Sequence, residues 1–121
     1  MNIEEVRIYT LSLYGVTEDQ PFGDDVLAFR IEGKIFLCLS LTPDNARFSL
    51  KLAPERNEEL REQFEGVAPA FHWNKKHWSD IFYTQFEQSL LEEWISESYH
   101  LVLSTLPRRI RAQYMEGRTA Q

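Results

Sequence analysis

Apolar and polar residues change their spacing several times along the chain, and each change marks an element. Ile3, Val6, Tyr9, Thr10 and Leu13 fall on one helical face. Asn2 is a natural N-cap for that helix, and Glu5 three residues later completes a capping-box pattern, while Gly15 stops it. After a turn-rich loop over 19–25 the spacing switches to two. Leu27, Phe29 and Ile31 share one face of a strand over 26–31, and Val26, Ala28 and Arg30 the other. A second strand, over 35–41, places Ile35, Leu37, Leu39 and Leu41 inward and Phe36, Cys38 and Ser40 opposite. Glu32-Gly33 between them fits a two-residue hairpin, and Thr42-Pro43-Asp44-Asn45 a second turn. The third strand, over 46–52, turns Phe48, Leu50 and Leu52 inward and Arg47, Ser49 and Lys51 outward. Three strands joined by short loops predict an antiparallel meander.

Helical spacing then returns. Pro54 opens a helix at its first position, Glu55, Glu58 and Glu59 lie near its positive end, and Gly66 closes it. Leu60 and Phe64 are its two strong apolar positions, which predicts a surface helix. Short strands are expected over 68–72 and 78–83. The longest helix is expected over 90–106, with Leu90, Leu91, Trp94, Ile95, Ser98, Tyr99, Val102 and Leu106 at helical intervals. Pro107 breaks it and starts a short basic helix. The inward strand faces and the long helix predict one core containing Phe29, Leu37, Leu50, Trp94, Tyr99 and Val102.

The chain has 121 residues, which predicts a single domain over 1–116 with a frayed tail over 117–121. A composition of 43% hydrophobic and 13% aromatic residues excludes low-complexity disorder. Cys38 is the single cysteine, so no intrachain disulfide forms, in keeping with a reducing compartment. Glu4 and Glu5 stand where a secretory signal is basic, and the longest nearly apolar run, over 35–41, is far below the roughly 20 residues of a membrane span. These features predict a cytoplasmic protein of bacterial type that engages no membrane and acts as a monomer. The net charge of −6 is uneven: 7 Lys and Arg against 13 Asp and Glu over 1–66, and 6 against 6 over 67–121. An acidic balance disfavours non-specific attraction to nucleic acid, so binding of that kind requires a local basic patch.

Catalytic chemistry finds no support in the pattern. Cys38 sits between Leu37 and Leu39 with no base beside it, the setting of a structural thiol. His72 and His77, five apart, match neither a helix face nor a strand face, and with Asp80 they make a weak ligand set. Glu18-Asp19 and Asp24-Asp25 lack calcium-loop spacing. No phosphate-cradling glycine loop or nucleophile elbow occurs. The expectation is a non-enzyme with no cofactor and no metal. The most unusual segment is His72-Trp73-Asn74-Lys75-Lys76-His77-Trp78, whose cations and amide suit phosphate and whose indoles suit stacking on bases or bracing the loop. Arg108, Arg109 and Arg111 form a second basic cluster.

These segments, in order and spacing, resemble the MmcQ/YjbR family. The matching stretches include Pro21-Phe22-Gly23-Asp24-Asp25, Gly33-Lys34-Ile35-Phe36, Leu50-Lys51-Leu52, Pro54-Glu55-Arg56, Asn74-Lys75-Lys76-His77-Trp78, Ser98-Tyr99-His100 and Leu106-Pro107-Arg108-Arg109. The resemblance implies a CyaY-like α+β fold, with helices on one face of an antiparallel sheet, and a double-wing arrangement of hairpins that binds DNA. Carried onto this chain, the wings are the hairpin at Gly33-Lys34 and the segment at Lys75-Lys76. Lys34, Arg47, Lys51, Lys75, Lys76, Arg108 and Arg109 then supply phosphate contacts, with Asn74 or Trp73 near bases, in binding expected to be weak and salt-sensitive. The frataxin group, which shares that fold and binds iron through an acidic ridge, implies the alternative: a protein-interaction or metal-handling module using Glu4, Glu5, Glu18, Asp19, Asp24 and Asp25.

Overall fold

The structure, a computed structural model, describes residues 1–120, with side chains described as far as Met115. The frayed tail expected over 117–121 falls on side chains, and on Gln121, outside that range. Among the described residues six strands, β1 (Thr17–Asp19), β2 (Val26–Ile31), β3 (Lys34–Ser40), β4 (Phe48–Lys51), β5 (Val67–Pro69) and β6 (Trp78–Ile81), pair antiparallel throughout, in the order β1-β2-β3-β4-β6-β5. Helix α1 (Ile3–Ser12) starts as its sequence dictates: Asn2 Oδ1 accepts the Glu5 N–H at 2.8 Å, and Glu5 Oε1 accepts the Asn2 N–H at 3.1 Å. Strands β2 (Val26–Ile31), β3 (Lys34–Ser40) and β4 (Phe48–Lys51) form the expected meander. Glu32 and Gly33 both take positive φ, 49° and 78°, as a two-residue hairpin turn of the mirror-image type requires.

Helices α1, α2 (Pro54–Gln63) and α3 (Gln88–Leu103) pack onto the sheet, and α3 lies across β2, β3 and β4. Phe29, Leu37, Leu50, Trp94, Tyr99 and Val102 join one buried cluster, as the strand and helix periods predict. Phe64 and Phe86 pack edge-on against the Trp94 ring at 5.3 and 5.0 Å. Helix α4 (Arg108–Ala120) returns to the N-terminal end of the chain. Its Tyr114 packs edge-on against Tyr14 at 5.4 Å and donates to Glu32 Oε2 at 3.0 Å.

The structure departs from the sequence pattern at several places, each with a local cause. Strand β1 (Thr17–Asp19) was not expected, since Thr-Glu-Asp has no apolar alternation. Ion pairs hold it from both sides: Glu18 meets Arg7 of α1, and Asp19 meets Arg30 of β2. Phe36 lies in the core, not opposite it. Phe29 pairs with Leu37 but Arg30 pairs with Ile35, so Phe36 is the extra residue of a β-bulge. The bulge re-aims its ring onto Tyr99, 5.9 Å away. Helix α2 is the surface helix its sparse apolar positions predict, but its buried side holds a polar residue, Asn57, beside Leu60. Strand β5 (Val67–Pro69) stops before residue 72, since the Phe71 N–H leaves the ladder for the Asp80 side chain. Strand β6 (Trp78–Ile81) gives way to a short 3₁₀ turn, Tyr83–Gln85.

Three expectations follow from this packing. Trp94→Ala removes the centre of the aromatic cluster and should cost about 3–5 kcal/mol, read as a large fall in the denaturation midpoint. Gly15 has φ +77°, and a Cβ there would stand 2.5 Å from Tyr114 Cε1. Gly15→Ala should therefore destabilise by about 1–3 kcal/mol, and less in a Tyr114→Ala background, a coupling that a double-mutant cycle measures. Burial pushes the Cys38 thiol up to about 12, so it stays protonated and unreactive at neutral pH. Alkylation of the native protein at pH 7 should be far slower than that of the unfolded chain. The unfolded thiol ionises first, so this group favours the folded state below pH about 9 and loses that contribution as the pH rises toward 12.

Candidate functional site

The helices cover one face of the sheet, and alternation puts a second set of side chains on the other. Register carries one row straight across that second face: Asp19, Ala28, Cys38, Ser49, Asp80 and Ala68. Asp80 is the only one of these to combine charge with near-complete burial, at 2% exposure. Three donors satisfy it. Ser49 Oγ donates to Oδ1 at 2.6 Å, while Arg47 Nη1 at 3.2 Å and the Phe71 N–H at 3.1 Å donate to Oδ2. The carboxylate thus fixes an arginine and draws the loop after β5 back over the sheet.

That loop meets another. Phe22, from the loop before β2, packs edge-on against Trp73 at 4.9 Å, and Trp73 lies against Trp78 at 5.6 Å. Beneath the two loops is a half-open cavity of about 510 Å³. Cys38, Ser40 and Ser49 form its floor, Phe22 and Trp73 its aromatic side, and Asn45 and Arg47 its polar side. Ser40 Oγ and Thr42 Oγ1 share a hydrogen bond at 3.0 Å on the same rim.

The lysine segment lies toward the opposite end of the sheet. Register places Lys51 beside Trp78, at the same end as the β2–β3 turn that carries Lys34. The backbone from Asn74 to Trp78 is tied down at nearly every residue. Asn74 Oδ1 accepts the Lys76 N–H at 2.9 Å, and the Asn74 carbonyl accepts from His77 and Trp78. From α2, Asn57 Nδ2 donates to the Lys76 carbonyl at 3.1 Å and to the Leu52 carbonyl at 3.0 Å. Arg61 donates to the carbonyls of Lys75 and Trp78 and, through Nε, to Ser79 Oγ at 3.1 Å. Burial lowers the pKa of Arg61. The Lys75 and Lys76 side chains remain exposed on this braced loop.

The residues expected to contact DNA are therefore not equivalent. Lys34, Lys51, Lys75 and Lys76 lie at one end of the sheet, with Lys51 on the uncovered face and Lys34 turned toward the helix side. Lys34 Nζ donates to Thr105 Oγ1 at 3.1 Å, which ties the hairpin to the turn preceding exposed Arg108 and Arg109 of α4. Arg47 stands at the other end, paired with Asp80 and with its side chain 18% exposed. Asn74 spends its side-chain oxygen on the loop itself. Most of the acidic residues of the alternative are engaged locally, and Asp25 lines the cavity. Glu5 caps α1, Glu4 and Glu18 both meet Arg7, and Asp19 meets Arg30. Among the described residues, no three His, Cys, Asp or Glu side chains come together as a metal-holding group. Also among the described residues, no helix is long and apolar enough to cross a membrane.

Asn57 and Arg61 escaped the sequence reading, although their i,i+4 spacing on α2 puts both on one face. In the sequence Asp80 stands out only as a partner of His72 and His77. Its role depends on Arg47 and Ser49, each more than thirty residues away.

Comparison with known proteins agrees with the fold. The chain is 30% identical over 98 residues to YbdF of Escherichia coli O157:H7, covering 80% of each chain. It is 27% identical over 112 residues to YjbR of Escherichia coli K12, covering 92% of this chain and 95% of that one. Among solved structures, Deinococcus radiodurans protein DR2400, of domain family DUF419, superposes with a TM-score of 0.85 at 31% identity, covering 93% of this chain and 87% of that one. A Pseudomonas syringae protein superposes with a TM-score of 0.72 at 25% identity, covering 84% and 98%. Residues 11–101, the span from the end of α1 through most of α3, match the YjbR profile, and the chain belongs to the MmcQ/YjbR family.

Proposed function

We propose that this chain is a non-catalytic DNA-binding module, cytoplasmic and monomeric, whose phosphate contacts come from Lys75 and Lys76, with Lys51 and Lys34 at the same end of the sheet. The observation that carries the reading is the bracing of the 74–78 backbone by Asn57 and Arg61, which leaves both lysine side chains exposed. A loop whose carbonyls are already held loses less conformational freedom on binding. The β2–β3 hairpin and the lysine loop sit at one end of the sheet, the placement that two wings gripping one duplex require. Arg108 and Arg109 extend the same basic end through the Lys34–Thr105 contact. Arg47 is left out of the phosphate set, since Asp80 already balances its charge.

The net charge of −6 makes the attraction local and therefore shallow. Titration of a labelled duplex should show affinity falling roughly a hundredfold between about 50 and 200 mM salt, for roughly three to five phosphates contacted. Lys75→Ala with Lys76→Ala should weaken binding similarly for all sequences and flatten the log–log salt slope by about 2 units. An unchanged thermal midpoint verifies that this double variant is folded. A folded double variant with wild-type affinity and slope removes the loop from the interface. A wild-type protein that fails to bind at low salt removes DNA as the partner.

A further inference from the structure

We propose that the cavity on the uncovered sheet face receives one unpaired nucleobase. The phosphate half of this inference rests on the DNA-binding reading above; the cavity half stands on its own geometry. The volume of about 510 Å³ falls in the range of small-ligand sites. One side is aromatic: the Phe22 and Trp73 rings meet at 63°, and Phe22 is 52% exposed, which leaves ring surface free to stack. The other side is rich in hydrogen-bonding groups, and its rim adds the Asp25 carboxylate and the His72 imidazole. The buried Asp80 compensates Arg47, yet only one guanidinium nitrogen is used in that pair, so donors remain. Asn45 adds an amide, with both donor and acceptor, and Ser40 adds a hydroxyl.

A site of that kind, aromatic on one side and lined with donors and acceptors on the other, with a carboxylate at its rim that repels an anion, fits a flat, neutral ring edged with donors and acceptors. A nucleobase is such a ring. Its phosphates belong outside, and a strand leaving the cavity along the uncovered face runs toward the end of the sheet that carries cations: Lys51 is on the same face as Ser49, and Lys75 follows Trp73 by two residues. A base stacked and paired within a duplex cannot enter a pocket, so the ligand is single-stranded or locally opened DNA.

The decisive measurement uses free nucleosides, which carry no phosphate and so do not depend on the lysines. Thymidine and deoxyguanosine titrated into the full chain should produce saturable NMR shifts at the Trp73 indole N–H and at Phe22. An oligothymidylate should bind more tightly than a duplex of equal length at the same salt. Phe22→Ala, at an exposed position that costs little in folding, should lower single-strand affinity about 5- to 150-fold, the equivalent of about 1–3 kcal/mol of base stacking, and leave duplex affinity unchanged. The Lys75→Ala, Lys76→Ala variant should weaken both nucleic acids and still bind nucleosides. Absence of saturable nucleoside shifts overturns the cavity assignment, whatever the duplex does. So does binding of N-acetyltryptophanamide in place of nucleosides, which would mark a peptide side-chain pocket. Nucleoside binding without binding of any nucleic acid upholds the cavity assignment and removes the DNA reading.

Discussion

A carboxylate taken out of water must be given donors, and Asp80 receives three from three separate parts of the chain. That requirement organises the whole uncovered face. Ser49 sits next to Asp80 by strand register, so its hydroxyl is available without cost. Arg47 must turn inward from the end of the β3–β4 turn. The Phe71 amide must abandon strand pairing, which ends β5 and folds the following aromatics over the sheet. The cavity, its arginine and its tryptophan wall are all consequences of satisfying one buried charge.

The lysine loop is anchored by the same kind of demand from the other side of the sheet. Asn57 is fully buried and uses both ends of its amide, accepting from Ser79 Oγ at 2.6 Å and donating to two carbonyls. Arg61 fans over the next carbonyls. The segment 71–78 is thus tethered at its start by Asp80 and at its end by α2. Its Trp73 is directed at the cavity and its lysines at solvent. Two surface chemistries, stacking and charge, are presented by one short stretch with little freedom left in its backbone.

How far this could be read from the sequence follows from the range of each interaction. The capping box at Asn2 and Glu5, the Pro54 start of α2, the Glu32-Gly33 turn and the alternation of β4 are local, and their residues announce them. The core set on α3 is legible because a period of 3.6 persists over four turns. Phe36 was assigned to the wrong face because a bulge is a mismatch between two strands, and one strand read alone keeps strict alternation. Strand β1 was missed because its stability lies in Arg7 and Arg30, not in its own three residues. The lysine segment stood out by composition, whereas the groups that shape it, Asn57, Arg61 and Asp80, act over 9 to 33 residues and leave no periodic trace.

The two borders of the sheet carry a consequence of their own. On one side β1 is three residues long and presents Glu18 and Asp19; on the other β5 ends in Pro69, which has no N–H to donate. Short, acidic or proline-terminated borders resist strand addition by another chain. A partner that extends the sheet in the manner of a seventh strand is thereby discouraged at both margins, and so is self-association into fibrils. Recognition is channelled to the broad surface and the loops arching over it, where contacts are made by side chains and can discriminate, instead of by the uniform hydrogen-bonding of exposed backbone.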